Sequence, residues 1–120
     1  MTYDLITTGR ISVDIYPDDI GVPLEDVTRF RKYLGGSSTN VAVAAARHGR
    51  RVAVITRTGD DPFGVYLRGE LRRYGVDDRW ATAVPGLQTP VTFCAIQPPE
   101  DFPGGDGSPH CRLGGRAGGG

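Results

Sequence analysis

The sequence predicts an α/β fold, a parallel sheet flanked by helices, and three features predict it. Val52-Ala53-Val54-Ile55-Thr56 is a short run apolar on both faces, the mark of a strand covered from each side in a parallel sheet. Stretches at helical spacing stand on either side of it, closed by Gly49 and Gly75 respectively. The resulting order of strand, helix, strand, helix is that of βαβ units.

Tyr3 to Thr8 is a short apolar run ending at Gly9, and Ile11 to Tyr16 alternates apolar with polar, the period of a half-buried strand. The two together read as one strand continuing past a glycine. Pro17, Asp18-Asp19, Gly21 and Pro23 then supply turn chemistry. Val27 to Leu34 suits a second extended segment, although Val27, Phe30, Tyr33 and Leu34 also fit helical spacing. Ser38 to His48 is a helix of small residues, with Ser37, Ser38 or Thr39 as N-cap and Gly49 in the left-handed position after it. Asp61-Pro62 reads as N-cap and first helical residue of a second helix, with Phe63, Leu67, Leu71 and Tyr74 at its spacing. Val76 to Thr82 leads into a short strand, and Pro90 to Ile96 alternates as a strand until Pro98-Pro99 stops it.

Composition excludes several classes. Fourteen basic and fourteen acidic residues cancel, so no global charge recruits nucleic acid or an anionic membrane. No apolar run approaches the ~18–20 residues of a membrane span, and Met1 to Asp4 lacks a signal peptide's basic region. Cys94 and Cys111 belong to no C-x-x-C pair and no Cys/His cluster of zinc spacing. The expectation is a reduced, cytoplasmic protein with no metal site. Residues 103–120 hold eight glycines and a single large apolar residue, Leu113, which makes them a glycine-rich tail set apart from a domain at 1–102. That tail fits disorder, out-of-frame translation of a GC-rich gene, or a genuine flexible end.

The most informative string is Gly35-Gly36-Ser37-Ser38-Thr39-Asn40 before a helix. Glycines let backbone approach a ligand, a helix start offers unsatisfied N–H groups, and the Asn40 amide can donate and accept to adjacent hydroxyls. The same string equally suits an ordinary tight turn with a cap. It matches neither a Walker P-loop nor G-x-G-x-x-G. Asp60 and Asp61 resemble a catalytic carboxylate pair, but their place before Pro62 favours a turn former and a cap. His48 suits a helix-end cation complementing the dipole.

Gly35-Gly36, Asn40, Ala42, Gly49 and Gly59 stand at the spacing of the first signature of the ribokinase-like, or PfkB, carbohydrate kinases, and Thr58 to Gly64 resembles the block that follows it there. Ser38 departs from the Gly, Ala or Pro preferred at its position. Within the family, Tyr3 to Asp14, Val52 to Gly64 and Thr89 to Cys94 resemble the members that phosphorylate a sugar acid, 5-dehydro-2-deoxygluconate, in inositol breakdown. The resemblance runs from about Tyr3 to Phe102.

The resemblance implies a three-layer α/β/α sheet with a small β-lid built from Asp14 to Tyr33 and Pro90 to Ile96. It places Asp14, Gly35, Gly36 and Asn40 on the sugar, and Arg10 and Arg57 are candidates for a substrate carboxylate, although each also suits a solvated surface. It implies ATP and Mg2+ for the full-length family, and a homodimer through lid strands. These kinases pass the γ-phosphoryl of ATP to a sugar hydroxyl with an aspartate base and a glycine-rich anion hole near the C-terminus. No Gly-Ala-Gly-Asp string occurs here, and Gly104-Gly105-Asp106-Gly107 has no helix-forming sequence after it. The expectation is therefore an N-terminal, truncated part with no catalytic residue of its own, inactive alone, leaving an uncovered apolar face. The alternative is a non-catalytic sugar-binding or interaction module.

Overall fold

The computed structural model describes residues 2–95 and the backbone of 110–114. In chain order the elements begin with strands β1 (Leu5–Thr8), β2 (Ser12–Pro17) and β3 (Phe30–Gly35), then helix α1 (Ser37–Arg47). They continue with β4 (Val52–Gly59), α2 (Pro62–Arg73), β5 (Val76–Asp77), β6 (Ala81–Val84), β7 (Val91–Ala95) and β8 (His110–Gly114). The chain divides into two units, one of Met1–Val13 and Leu34–Pro90, the other of Asp14–Tyr33 and Val91–Gly120.

The first unit is a parallel sheet centred on β4. On one side β4 pairs with β1 in the register Leu5 to Val52 and Thr7 to Val54. On the other side its first residues pair with β5 and its last with β6, Thr56 facing Ala81 and Gly59 facing Val84. Val52, Ala53 and Val54 of β4 are all buried, and burial then alternates, Thr56 and Thr58 inward and Ile55 and Arg57 exposed. Both helices lie on the buried face. Leu67 and Leu71 of α2 are fully buried there with Ala42 and Thr39 of α1, and the Arg68 guanidinium of α2 reaches Thr58. Of three layers, the described residues supply two, so the opposite face leaves Ile6 47% and Ile55 48% exposed. That is the uncovered apolar face expected from the sequence.

Two expectations about the first unit need correction. The initial strand does not continue past Gly9: it breaks there into β1 and β2, which join different sheets. The break is a close approach, since a Cβ on Gly9 would come within 2.8 Å of the Ser38 hydroxyl. The N-cap of α1 is Gly36 and not one of the hydroxyl residues after it, and no side chain caps that end. Gly36 sits at φ 111°, and the space a Cβ would need is taken by the backbone carbonyl of Arg10. Only glycine allows the chain to enter α1 at that point. Gly49 and Gly75, at φ 77° and 83°, end the helices as the sequence indicates.

The second unit is a small sheet of order β3-β2-β7-β8, with β7 and β8 antiparallel. β2, β3 and β7 come largely from the stretches assigned to the β-lid, whereas β8 comes from the glycine-rich tail, where disorder was expected and a strand pairs with β7 instead. Val27 to Leu34 resolves into extended structure, β3, preceded by a single 3-10 turn at Leu24–Asp26. Edge-to-face contacts between Tyr16 and Tyr33 and between Phe30 and Phe93 support it. Cys94 is fully buried and disulfide-bonded, in place of the reduced thiol expected. The strand register puts Cys111 directly opposite it, a proximity hidden in the linear sequence. Ile96 to Pro99 and most of the glycine-rich tail lie outside the described residues, and of 103–120 only β8 is described.

The glycine geometry predicts a contrast. Gly49→Ala has open space and should cost only the left-handed backbone penalty, about 1–2 kcal/mol. Gly36→Ala adds a steric conflict with the Arg10 carbonyl and should destabilise by clearly more, read as a lower denaturation midpoint in urea. Equal midpoints for the two variants would remove the packing argument at Gly36.

Candidate functional site

The loop between β1 and β2 is held from two directions. The Thr56 hydroxyl donates to the carbonyl of Gly9 at 2.7 Å, and the Ser38 hydroxyl lies 3.4 Å from the carbonyl of Arg10. Ile11, next in sequence, is buried, so the backbone is anchored while the Arg10 side chain stays in solvent. Arg57 projects from the uncovered face of β4, level with Thr82 of β6. Arg10 and Arg57 line one cleft of about 580 Å³ with Thr8, Ile55 and Trp80, closed by Leu87 and Gln88. The volume suits a small metabolite.

Neither Arg10 nor Arg57 makes an ion pair among the described residues. Five other arginines do, Arg31 with Asp18, Arg51 with Asp4, Arg72 with Asp78, Arg73 with Glu70 and Arg79 with Asp77. A cleft with two unpaired guanidinium groups, an amide and an apolar wall suits a ligand with a carboxylate at one end and hydroxyls along it.

The wall formed by Leu87 and Gln88 is pinned by a hydrogen-bonded clamp. One Asp61 oxygen accepts from the Gly64 N–H at 2.7 Å and the Thr89 hydroxyl at 2.6 Å, and the other accepts from the Thr89 N–H at 3.0 Å. The Gly59 N–H in turn donates to the Thr89 hydroxyl oxygen at 2.9 Å. Asp61 is thus both N-cap of α2 and anchor of the strap at Leu87–Thr89. Desolvation raises the Asp61 carboxyl, but the hydrogen bonds from Thr89 and Gly64 outweigh it and hold the group below the ordinary carboxylate range. Gly59 and Gly64 are required by crowding, because a Cβ on Gly59 would meet the Asp61 carboxylate and the Leu87 carbonyl, and one on Gly64 the Gly59 carbonyl.

The sequence-derived candidates fall in different places. Arg10 and Arg57 come together in the cleft. Gly35 is buried at the end of β3, Gly36 carries the turn, and Asn40 is exposed in the first turn of α1, its backbone N–H donating to the Gly36 carbonyl at 2.9 Å. Asp14 belongs to β2 of the second unit; burial pushes the Tyr16 phenol up there, and the negative charge of Asp14 adds to the shift. Asp61 proves to be the cap. Sequence reasoning missed Trp80, Gln88 and Thr89 as site elements. Thr89 lies 28 positions from Asp61, and no local pattern joins them.

ATP and Mg2+ are what the family resemblance implies for a full-length member. The glycine turn at Gly36 is filled by the Arg10 carbonyl, an acceptor that disfavours a phosphate, and no group of His, Cys, Asp or Glu side chains among the described residues could hold a metal ion. Among the described residues no helix is long and apolar enough to cross a membrane.

A parallel α/β sheet whose chain is interrupted by the segments of a small all-β unit, with a cleft lined from β4, β6 and the loop after β1, defines a class of α/β domains. The particular family is shown by comparison: residues 3–102 match the model of the pfkB family carbohydrate kinases, and the chain belongs to that family. It is 36% identical over 100 residues to the 5-dehydro-2-deoxygluconokinase of Clostridium perfringens, an alignment covering 82% of this chain and 30% of that protein. The enzyme of the same name from Clostridium tetani is 37% identical over 99 residues, covering 82% and 29%. Among solved structures, a sugar kinase of Pyrococcus horikoshii in complex with ATP superposes with TM-score 0.77 at 31% identity, covering 91% of this chain and 33% of that one. A PfkB protein from a Polaromonas species gives TM-score 0.80 at 27% identity, covering 93% and 35%. The chain spans about 30% of the length of the curated relatives it matches.

The clamp predicts a pH signature. With a folded value below the unfolded one, the Asp61 contribution is complete above the unfolded carboxylate value of ~3.9 and is lost as pH falls through the folded value. Asp61→Ala should cost about 1–2 kcal/mol at pH 7 through the lost cap, and the gap to wild type should narrow on acidification, as followed by urea unfolding between pH 7 and pH ~3. A gap constant across that range would show that the carboxylate charge does not stabilise the clamp.

Proposed function

We propose that this chain supplies the sugar-acid-binding and lid part of an ATP-dependent kinase that phosphorylates 5-dehydro-2-deoxygluconate in inositol breakdown, and that it is catalytically incomplete by itself. The observation that carries the proposal is that Arg10 and Arg57, neither in an ion pair among the described residues, line one cleft of about 580 Å³. A sugar acid offers a planar carboxylate that a guanidinium can bind through two parallel hydrogen bonds. Asp14, Gly35, Gly36 and Asn40 would hold sugar hydroxyls in the assembled kinase. ATP and Mg2+ would be held by the remaining two thirds of such an enzyme. The wider reading is supported by the names of the relatives and by membership in a carbohydrate kinase family.

A second reading, a non-catalytic binding or interaction module, draws on the exposed Ile6 and Ile55, which leave an apolar sheet face for a partner to cover.

Calorimetric titration separates these readings. The chain should bind 5-dehydro-2-deoxygluconate and not 2-deoxyglucose, and Arg10→Ala or Arg57→Ala should each weaken binding by about 1.5–3 kcal/mol, the range for hydrogen bonds to charged groups. The chain alone should show no ATP turnover, and adding the complementary C-terminal part of the Clostridium perfringens relative should restore transfer. Binding that ignores both arginines would refute the cleft assignment. Binding without restored transfer would move the module reading to first place.

A further inference from the structure

Gln88 is the one amide side chain on the cleft wall, and it has no hydrogen-bond partner among the described residues. It sits between Leu87, whose N–H donates to the Val84 carbonyl at 3.2 Å, and Thr89, which is only 6% exposed and bonded to both Asp61 and Gly59. An exposed side chain on a free loop would pay a large ordering cost on meeting a ligand. Here that cost is reduced, because the backbone on either side of Gln88 is already fixed. Its amide offers both a donor and an acceptor, the combination that a run of hydroxyl groups requires. The Thr89 hydroxyl satisfies the buried Gly59 N–H at the end of β4 and donates to Asp61, so the clamp ties the strap to the strand end as well as to the helix cap.

We propose that Gln88 is a specificity-determining residue that reads the hydroxyl groups of a polyhydroxy acid, and that Asp61 and Thr89 are positioning residues that hold it against the arginine cleft. The inference rests on the carboxylate reading of Arg10 and Arg57 and extends it to the other end of the ligand. Trp80, Ile55 and Leu87 supply the apolar wall along which the carbon chain lies. The arginines alone would take any small carboxylate. Gln88 adds the preference for one that carries hydroxyls.

The test uses the full chain with sodium D-gluconate and sodium hexanoate as probes at equal ionic strength, together with hydrogen exchange of the strap amides. Wild type should prefer gluconate. Gln88→Ala, at an exposed position with no packing role, should weaken gluconate about tenfold, the scale of one to two hydrogen bonds, and leave hexanoate unchanged. Thr89→Val removes the hydroxyl but leaves Asp61 capping α2; it should speed exchange at Leu87 and Gln88 about tenfold and reduce the gluconate preference in the same way, and Thr89→Ser should restore both. An unchanged gluconate-to-hexanoate ratio in Gln88→Ala overturns the specificity role. A loosened strap in Thr89→Val with the ratio intact overturns the positioning role. If wild type binds neither acid, the arginine reading falls and the specificity role with it, while exchange in Thr89→Val still decides whether the clamp holds the strap.

Discussion

Everything in the first unit depends on β4 being buried on one face and hydrogen-bonded along both edges. β1 runs along one edge, and β5 and β6 share the other, so β4 fixes the register of every neighbouring strand. Val52 and Val54 bury against the helices with Leu67 and Leu71, and this apolar contact is the main favourable term available to a domain of this size. The side chains alternate, so burying one face necessarily delivers Ile55 and Arg57 to the other. The cleft therefore follows from the core: the pleat that sets Thr56 and Thr58 inward aims Arg57 outward.

The C-terminal end of β4 is where packing gives way to polar chemistry. Thr58, Gly59, Asp61, Gly64 and Thr89 are crowded enough that neither glycine could carry a side chain, and their polar groups satisfy one another. A carboxylate accepting several N–H and O–H bonds stays ionised even when partly desolvated, because the bonds stabilise the charged form more than burial opposes it. Two other carboxylates are also depressed: Asp4, at the exposed surface, takes hydrogen bonds from Arg51 that contribute little there, and the half-buried Asp77 takes one from Tyr3. Asp61 differs in tying three segments of chain, the end of β4, the start of α2 and the strap.

The sequence made the parallel sheet legible because its signals are local: the apolar run Val52–Thr56, the helical spacing of Leu67 and Leu71, and glycines at helix ends. The Asp61 cap was legible for the same reason, with Pro62 beside it. The division at Gly9 was not, because Ile11 to Tyr16 continues the strand pattern and only the close approach of Ser38 reveals the break. Gly36 shows the same limit from the other side. Its glycine was visible as a turn, but the reason for it, the carbonyl of Arg10 across the turn, depends on a contact 26 positions away, from 36 − 10. Gln88 and Trp80 carry no motif, and they join the site only because β6 and the strap return to the end of β4.

Placing Arg10 and Arg57 in one cleft has an energetic implication. Two like charges beside an apolar wall repel, and removing either from water is unfavourable without a counter-charge. Solvent screens both groups while they stay exposed, so the free chain bears little of that cost. An anion bound as proposed would reverse the balance: it would expel water, and the lower local dielectric would strengthen attraction to both guanidinium groups. Selectivity then depends on how rigidly the rest of the wall is held, since a carboxylate satisfies the charges whatever chain it is attached to. A strap fixed by Asp61 and Thr89 can distinguish ligands by their uncharged part, whereas a mobile one would adapt to each. On the proposed reading, the clamp outside the cleft and the charges inside it would be two parts of one recognition problem, the first setting which molecule is accepted and the second how strongly it is held.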